Sequence, residues 1–438
     1  MLGPDEPLTR SPAAATSEFY DRTRDYWRDW IRQLALPLEW QDAVIRAAIT
    51  IKLCNFEETG AIIAAMTTSI PESADSGRNW DYRYCWLRDA FFVVRALNRL
   101  GAVRILENYL RYLSNIMAMA DGGDIQPVYG ISLETQFLER EITTLDSYRG
   151  MGPVRVGNQA YEQIQHDVYG DIVLASTQAF FDKRLFRQAG VEDFERLEAV
   201  GERAYKLHDQ PDESMWEQRG NVRVHTSSSL MCWAACDRLA KMADHLGLRC
   251  RASYWSRRAD KVRAAIEERA WDPEIDSFAD YFGGDRLDAS LMLMHEVGFL
   301  QPGDSRFEKT LAAVEKRSRR GPHLMRYHEA DDFGAPTNSF IICSFWYVEA
   351  LAALGRRDEA REIFEELLTK RNHLGLLSED PEIESGELWG NFPQTYSLVG
   401  LINCALRTAH CASAERGNAF CETNRRRFQS RCRSQRSD

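Results

Sequence analysis

Helical segments of two kinds alternate along this chain, and that alternation limits the folds open to it. Between Thr337 and Leu354 one charged residue, Glu349, occurs in 18 positions, whereas Arg356 to Lys370 carries nine charges in 15. The preceding pair repeats the contrast, with four charges in 21 residues from Val224 to Asp244 and ten in 21 from Arg249 to Arg269. A helix that is apolar all round is buried on every side, while a helix with a charged face lies at the surface. The order is inner, outer, inner, outer.

Five short connections carry a glycine where a helix C-terminus calls for positive φ: Gly101, Gly190, Gly247, Gly298 and Gly355. They place inner helices near 88–100, 160–188, 224–246, 285–297 and 337–354. An outer helix near 38–53 and a last inner helix near 393–408 complete six of each kind. Strand-like alternation is scarce. The expectation is an all-α fold, a closed double ring of helices spanning residues 37–410. Long loops at about 54–87, 122–159, 209–223, 271–284, 320–336 and 374–392 then all emerge at the N-terminal ends of inner helices. One rim collects them together with the positive ends of helix dipoles, and long loops on a rigid scaffold are where chemistry is placed. Ahead of the ring, residues 1–16 read as a flexible leader and 17–36 as an amphipathic lead-in helix; residues 411–438 lack an apolar period and read as a disordered basic tail.

Charge and composition narrow the function. The net charge of the 438 residues is −11, although the tail from Cys411 contributes seven Arg against three acids, so the body is more acidic still. Nucleic acid and anionic membrane are therefore poor partners. The opening MLGPDEPLTRSPAAATSEF has acids and prolines where a signal peptide needs an apolar run, and no stretch reaches 18 uncharged apolar residues. A soluble cytoplasmic protein is expected. Cys232, Cys236, Cys343 and Cys404 sit inside apolar helical runs and no CxxC pair occurs, which points to buried reduced thiols. Phosphate-loop, dinucleotide and HExxH motifs are absent and the nine His are scattered, so neither metal nor cofactor is expected.

The long loops carry acids next to Trp. Glu217 follows Trp216 ahead of one inner helix, and Glu379 lies in Ser378-Glu379-Asp380 ahead of another. Hydrolysis of a glycosidic bond needs two carboxyl groups, one protonated to assist the leaving oxygen and one ionised to activate water or attack carbon. A Trp wall raises a carboxyl pKa and stacks on a sugar ring. A loop Glu taken alone is ordinarily a solvated surface residue; a shared rim singles out these two. Arg88-Asp89, at the start of an inner helix, offers a fork of donors and acceptors for vicinal hydroxyls, and is equally consistent with a capping acid and its salt bridge. Arg326-Tyr327 and Asp331-Asp332 add charge to the same rim, where isolated charges are more often simply solvated.

Four blocks, in order, resemble glycoside hydrolase family 15: NWDYRYCWLRDA (79–90), SMWEQRG (214–220), RYHEADDFG (326–334) with the apolar run after it, and LLSED (376–380) with GELWGNFPQTYS (386–397). The likeness covers roughly residues 38–408. That family contains glucoamylases, glucodextranases and some microbial trehalases, and the resemblance implies an (α/α)6 barrel of six inner and six outer helices. It also implies roles: Glu217 as general acid, Glu379 as general base, Arg88 and Asp89 as the holders of the nonreducing glucose, Arg326 beside them, and Trp86 and Trp216 as walls. Three departures stand out. Bacterial relatives usually carry a β-sandwich before the barrel, Leu398 stands where many have His, and the tail matches nothing in the family.

The reading that follows is an inverting, exo-acting α-glucoside hydrolase that releases β-D-glucose from nonreducing ends of α-glucans or oligosaccharides. A trehalase shares both carboxyl groups and the glucose subsite and is the alternative; a truncated, inactive sugar-binding remnant is a third. A terpene cyclase, another helical toroid, is disfavoured because Asp331-Asp332 is too sparse for a Mg²⁺ motif.

Overall fold

The computed structural model describes residues 10–120 and 123–409. Its helices are α1 (Pro12–Arg32), α2 (Gln41–Leu53), α3 (Leu87–Arg99), α4 (Val103–Ala120), α5 (Asp167–Phe181), α6 (Val191–Leu207), α7 (Thr226–His245), α8 (Arg249–Arg269), α9 (Leu293–Glu296), α10 (Ser305–Ser318), α11 (Ile341–Ala353), α12 (Arg357–Thr369) and α13 (Thr395–Thr408). The contrast in charge becomes a contrast in burial. In α11 every residue from Ile341 to Ala352 is buried, whereas α8 buries only Trp255, Ala259, Val262 and Ile266, one stripe at helical spacing.

Inner elements α3, α5, α7, the 3₁₀ turn Ala289–Met292 continuing into α9, α11 and α13 each pack on the next, and α13 returns to α3. Outer helices α2, α4, α6, α8, α10 and α12 surround them, giving the (α/α)6 barrel. Two inner glycines permit the close packing. A Cβ on Gly170 of α5 would stand 2.4 Å from the Met231 carbonyl oxygen of α7, and one on Gly400 of α13 would meet the Phe345 ring of α11 at 2.4 Å.

Several expected boundaries move. The lead-in helix begins at Pro12, because Ser11 caps it with its hydroxyl and Pro12 occupies a first-turn position that needs no N–H donor. It packs through Tyr26, Trp27 and Trp30 around the Lys52 ammonium. Gly101, Gly247, Gly298 and Gly355 have the positive φ expected of them. Gly190 does not: it is extended, with φ −120°, and its N–H donates to the Asp193 carboxylate at the start of α6. The inner helix expected at 160–188 accordingly spans only α5, and Asp182 turns the chain by accepting from the Arg184 backbone and side chain. The fourth inner helix is shortened to a 3₁₀ turn and one α turn between the Asp288 cap and Gly298. Residues 1–9 of the expected leader and the expected tail at 411–438 lie outside the described residues. No described helix is long and apolar enough to cross a membrane.

Gly170→Ala is expected to destabilise the fold by about 1–3 kcal/mol, the usual cost of overpacking, because the opposing atoms are backbone and cannot swing aside. A lowered melting temperature by circular dichroism checks it; unchanged melting would mean that α5 and α7 separate without cost.

Candidate active site

The long loops meet on the rim formed by the N-terminal ends of the inner helices, and short ladders fix them there. Cys85–Trp86 pairs with Val128–Tyr129, and Asp380–Pro381 with Leu388–Trp389, both antiparallel. The first and last loops are joined to each other. The Thr395 N–H donates to the Ala64 carbonyl at 2.9 Å, the Gly390 N–H to the Pro71 carbonyl at 2.8 Å, and the Asn391 amide to the Trp80 carbonyl at 2.8 Å. Between the loops lies a cleft of about 110 Å³, and Trp86, Arg88, Asp89, Trp216, Glu217, Arg326 and Glu379 all line it. The structure thus gathers every residue chosen from the sequence.

Glu217 sits in a tight loop closed by the Asp212–Arg223 bridge, and both it and Ser214 have left-handed backbone, with φ of 58° and 61°. Such conformations cost a non-glycine residue free energy and persist only where the surroundings impose them. Here the Glu213 N–H donates to the Ile164 carbonyl and the Trp216 N–H to the Ser214 hydroxyl. The Glu217 Oε1 accepts from the Trp86 indole at 2.6 Å and from Arg88 Nη2 at 3.2 Å. Trp216 packs beside Tyr327, Phe340 and Trp346, and its indole N–H donates to Asp288 at 2.6 Å.

Glu379 is the more enclosed acid, 3% exposed against 27% for the Glu217 side chain. Its Oε1 accepts from the Tyr82 hydroxyl at 2.9 Å and from the Gln394 amide at 3.1 Å, while Oε2 has no hydrogen-bond partner. Burial, and then the charges of Asp380 and Glu72, hold its carboxyl well above the usual range. Gly390 is required at its back. With φ of 76°, it approaches so closely that a Cβ would stand 2.8 Å from the Glu379 Cβ.

Arg88 and Asp89 occupy the first turn of α3, with Nε and Oδ2 4.0 Å apart. Arg88 donates from Nη1 to Gln165 at 2.9 Å and to Asp167 at 3.2 Å, and from Nη2 to Glu217. Burial pushes the Asp89 carboxyl up to about 6 even though the Arg88 cation opposes the shift. Arg326 donates to Glu72 at 2.5 Å, and Glu72 also accepts from the Trp80 indole at 3.0 Å. Asp331, read as surface charge, is instead paired with Arg78 at 2.5 Å and lines the cleft with Asp332.

Sequence reasoning passed over Glu72, Arg78, Trp80, Tyr82 and Gln394. A signal for two of them was present: Trp80, Tyr82, Tyr84 and Trp86 recur at every second residue, the spacing that puts side chains on one face of extended backbone. Trp80, Tyr82 and Trp86 do line the cleft.

A family model described as glycosyl hydrolases family 15 matches residues 40–406. The chain belongs to glycosyl hydrolases family 15. A protein named trehalase from Mycobacterium tuberculosis is 36% identical over 392 residues, 88% of this chain and 57% of that protein. Another trehalase, from Thermoplasma acidophilum, is 35% identical over 387 residues, 87% of this chain and 65% of that protein. This chain therefore spans less than two thirds of either relative. Among solved structures, a bacterial glucoamylase complexed with acarbose superposes with a TM-score of 0.67 at 16% identity, covering 90% of this chain and 59% of that one. A glycosidase variant in complex with glucose gives 0.62 at 17%, covering 84% and 96%. At such identities the likeness is one of fold.

For this family 15 chain, Glu217→Gln and Glu379→Gln are each expected to lower kcat at least about 100-fold, the scale of a lost general acid or base, with smaller changes in KM. Arg88→Ala is expected to lose about 3 kcal/mol or more in kcat/KM, since charge-assisted hydrogen bonds are worth about 1.5–3 kcal/mol each. Steady-state kinetics on folded variants check these; wild-type kcat in either Gln variant would remove that acid from the reaction.

Proposed function

We propose that this protein hydrolyses trehalose with inversion at the attacked anomeric carbon. The observation that carries the chemistry is the pair of acids in one cleft, held by different donors and differently exposed. Glu217, the more open, is placed to protonate the leaving oxygen, whose sugar departs toward the mouth. Glu379, at the closed side, keeps an unpartnered oxygen for the proton of an attacking water. A base whose proton affinity burial has raised is a stronger base, provided that it is ionised at the working pH. Arg88 and Asp89 fix the glucose ring by its hydroxyls, so that binding remote from the reacting carbon lowers the barrier there. The reaction needs no redox group.

The substrate rests on similarity: the relatives at 34–36% identity carry the name trehalase, whereas the glucoamylase structures match far more distantly. Trehalose therefore displaces the α-glucan end as the leading substrate. Glucoamylase-like release of β-D-glucose from α-glucans is the second reading. One feature of the mouth favours it: Phe333, 37% exposed, packs edge-on against Trp80 with ring centroids 5.1 Å apart, a face on which a further sugar can stack. Incubation with trehalose, maltose, maltopentaose and isomaltose, with glucose quantified, separates the two.

Stereochemistry gives a sharper test. Attack by water from the far side converts one half of trehalose into β-glucose, while the departing half keeps its α configuration. The first minutes of hydrolysis, followed by proton NMR before mutarotation, are expected to show equal α and β anomers. Release of α-glucose alone would mean a covalent glucosyl intermediate and would end the base role of Glu379. The pH profile is fixed by the same group. Glu379 must be ionised to act, and its carboxyl is held high, so kcat/KM is expected to fall as pH drops from a point well above 4.5, the ordinary value. A profile still flat at pH 4.5 would contradict this.

A further inference from the structure

Asp380 follows the proposed base and has no part in the mechanism above, yet it is 2% exposed and its Oδ2 has no hydrogen-bond partner. The other orphaned oxygen at this place is Oε2 of Glu379. The two converge. A Cβ on Gly390 would stand 3.1 Å from the Asp380 Oδ2 and 3.2 Å from the Glu379 Oε2, so both oxygens flank one point that is open only because residue 390 is glycine. Two buried carboxyl groups this close cannot both ionise freely.

We propose that Asp380 is a positioning residue for the base: its carboxylate, facing the free oxygen of Glu379 over the bare Cα of Gly390, makes that oxygen a stronger proton acceptor. The proposal rests on the reading of Glu379 as general base. Asp380 is not a sugar contact. Glu379 lines the substrate cleft, whereas Asp380 lines a separate chamber of about 160 Å³ behind a wall of Glu72, Arg78 and Arg326.

Charged groups from separate segments face the pair. From the first loop come Glu72, which adds negative charge, and Arg78, which offsets it; from the loop before α11 comes Arg326, a second offsetting cation. Tyr82 and the α13 cap residue Gln394 donate to Oε1 of Glu379 and leave Oε2 alone. The strand opposite Asp380, Leu388–Trp389, brings no charge. Of the two acids that raise Glu379, Glu72 is engaged by Arg326, whereas the free oxygen of Asp380 flanks the same point as the free oxygen of Glu379. Burial and Asp380 are the first two causes that lift the Glu379 carboxyl.

The test is the pH profile of kcat/KM on trehalose, or on maltose if that is the substrate turned over, for wild type, Asp380→Asn and Asp380→Glu. Removing the charge is expected to shift the acid limb about one unit lower, as loss of a like-charged neighbour does, with kcat at the optimum reduced several-fold and KM within about twofold. Asp380→Glu keeps the charge and is expected to keep the limb. An acid limb in Asp380→Asn that coincides with wild type overturns the proposal, as does a uniform loss at every pH, which marks a purely structural role. If Asp380→Asn does not fold, Asp380→Ser carries the same measurement. Glu379→Gln distinguishes the two levels: full activity there removes the base itself, whereas an inactive Glu379→Gln with an unmoved limb in Asp380→Asn removes only Asp380.

Discussion

One buried guanidinium organises this rim. Arg88 stands among Asp89, Asp167, Asp171 and Glu217, four carboxyl groups from three separate segments of chain. It ties α3 to the start of α5 through Gln165 and Asp167, and to the strained 214–217 loop through Glu217. One cation cannot offset four anions at this depth. Both oxygens of Asp171 lack partners, and burial holds its carboxyl well above the usual range. Asp89 shifts less, up to about 6. Removing the guanidinium would leave buried acids uncompensated, which typically costs about 3–5 kcal/mol, so the integrity of the rim depends on this one side chain.

Two aromatic rings hold the two acids of the cleft. Trp86 holds Glu217 and Tyr82 holds Glu379, and their ring centroids lie 5.6 Å apart in an edge-on contact. Because both belong to one extended stretch, four residues apart, they share a face and present their polar tips to the cleft. Each carboxyl is bound to a different ring. Segment 80–86 thus braces both acids as well as walling the cleft. Its position depends on the last loop, through the bond from Asn391 to the Trp80 carbonyl.

How much of this was legible in the sequence differs by element. The ring was readable because burial on all sides tolerates almost no charge, so α11 and α12 declare themselves by composition alone. Gly190 misled because a glycine after an apolar run looks alike as the end of one helix or the beginning of another; Asp193, three residues on, was the distinguishing sign, since its carboxylate caps the Gly190 N–H. Glu217 and Glu379 were legible as acids on one rim and through the family resemblance. Their donors were not. Tyr82 lies 297 positions from Glu379, and no local pattern ties a tyrosine to a distant acid. The role of Gly390 is an empty volume, which a sequence does not display.

The cleft divides into a closed side and a mouth. The closed side is built from helix N-termini and from residues hydrogen-bonded to other segments: Arg88, Tyr82 and Gln394. Its donors cannot move without exposing buried carboxyl groups. The mouth is made of loop residues, among them Arg219, which stacks its guanidinium 4.9 Å from the Trp80 ring, and the 331–334 turn, closed by the Asp331–Gly334 bridge. Burial makes change costly on the closed side, whereas the mouth is supported by loops. The two acids lie on that boundary, Glu379 on the closed side and Glu217 on the loop that faces the mouth.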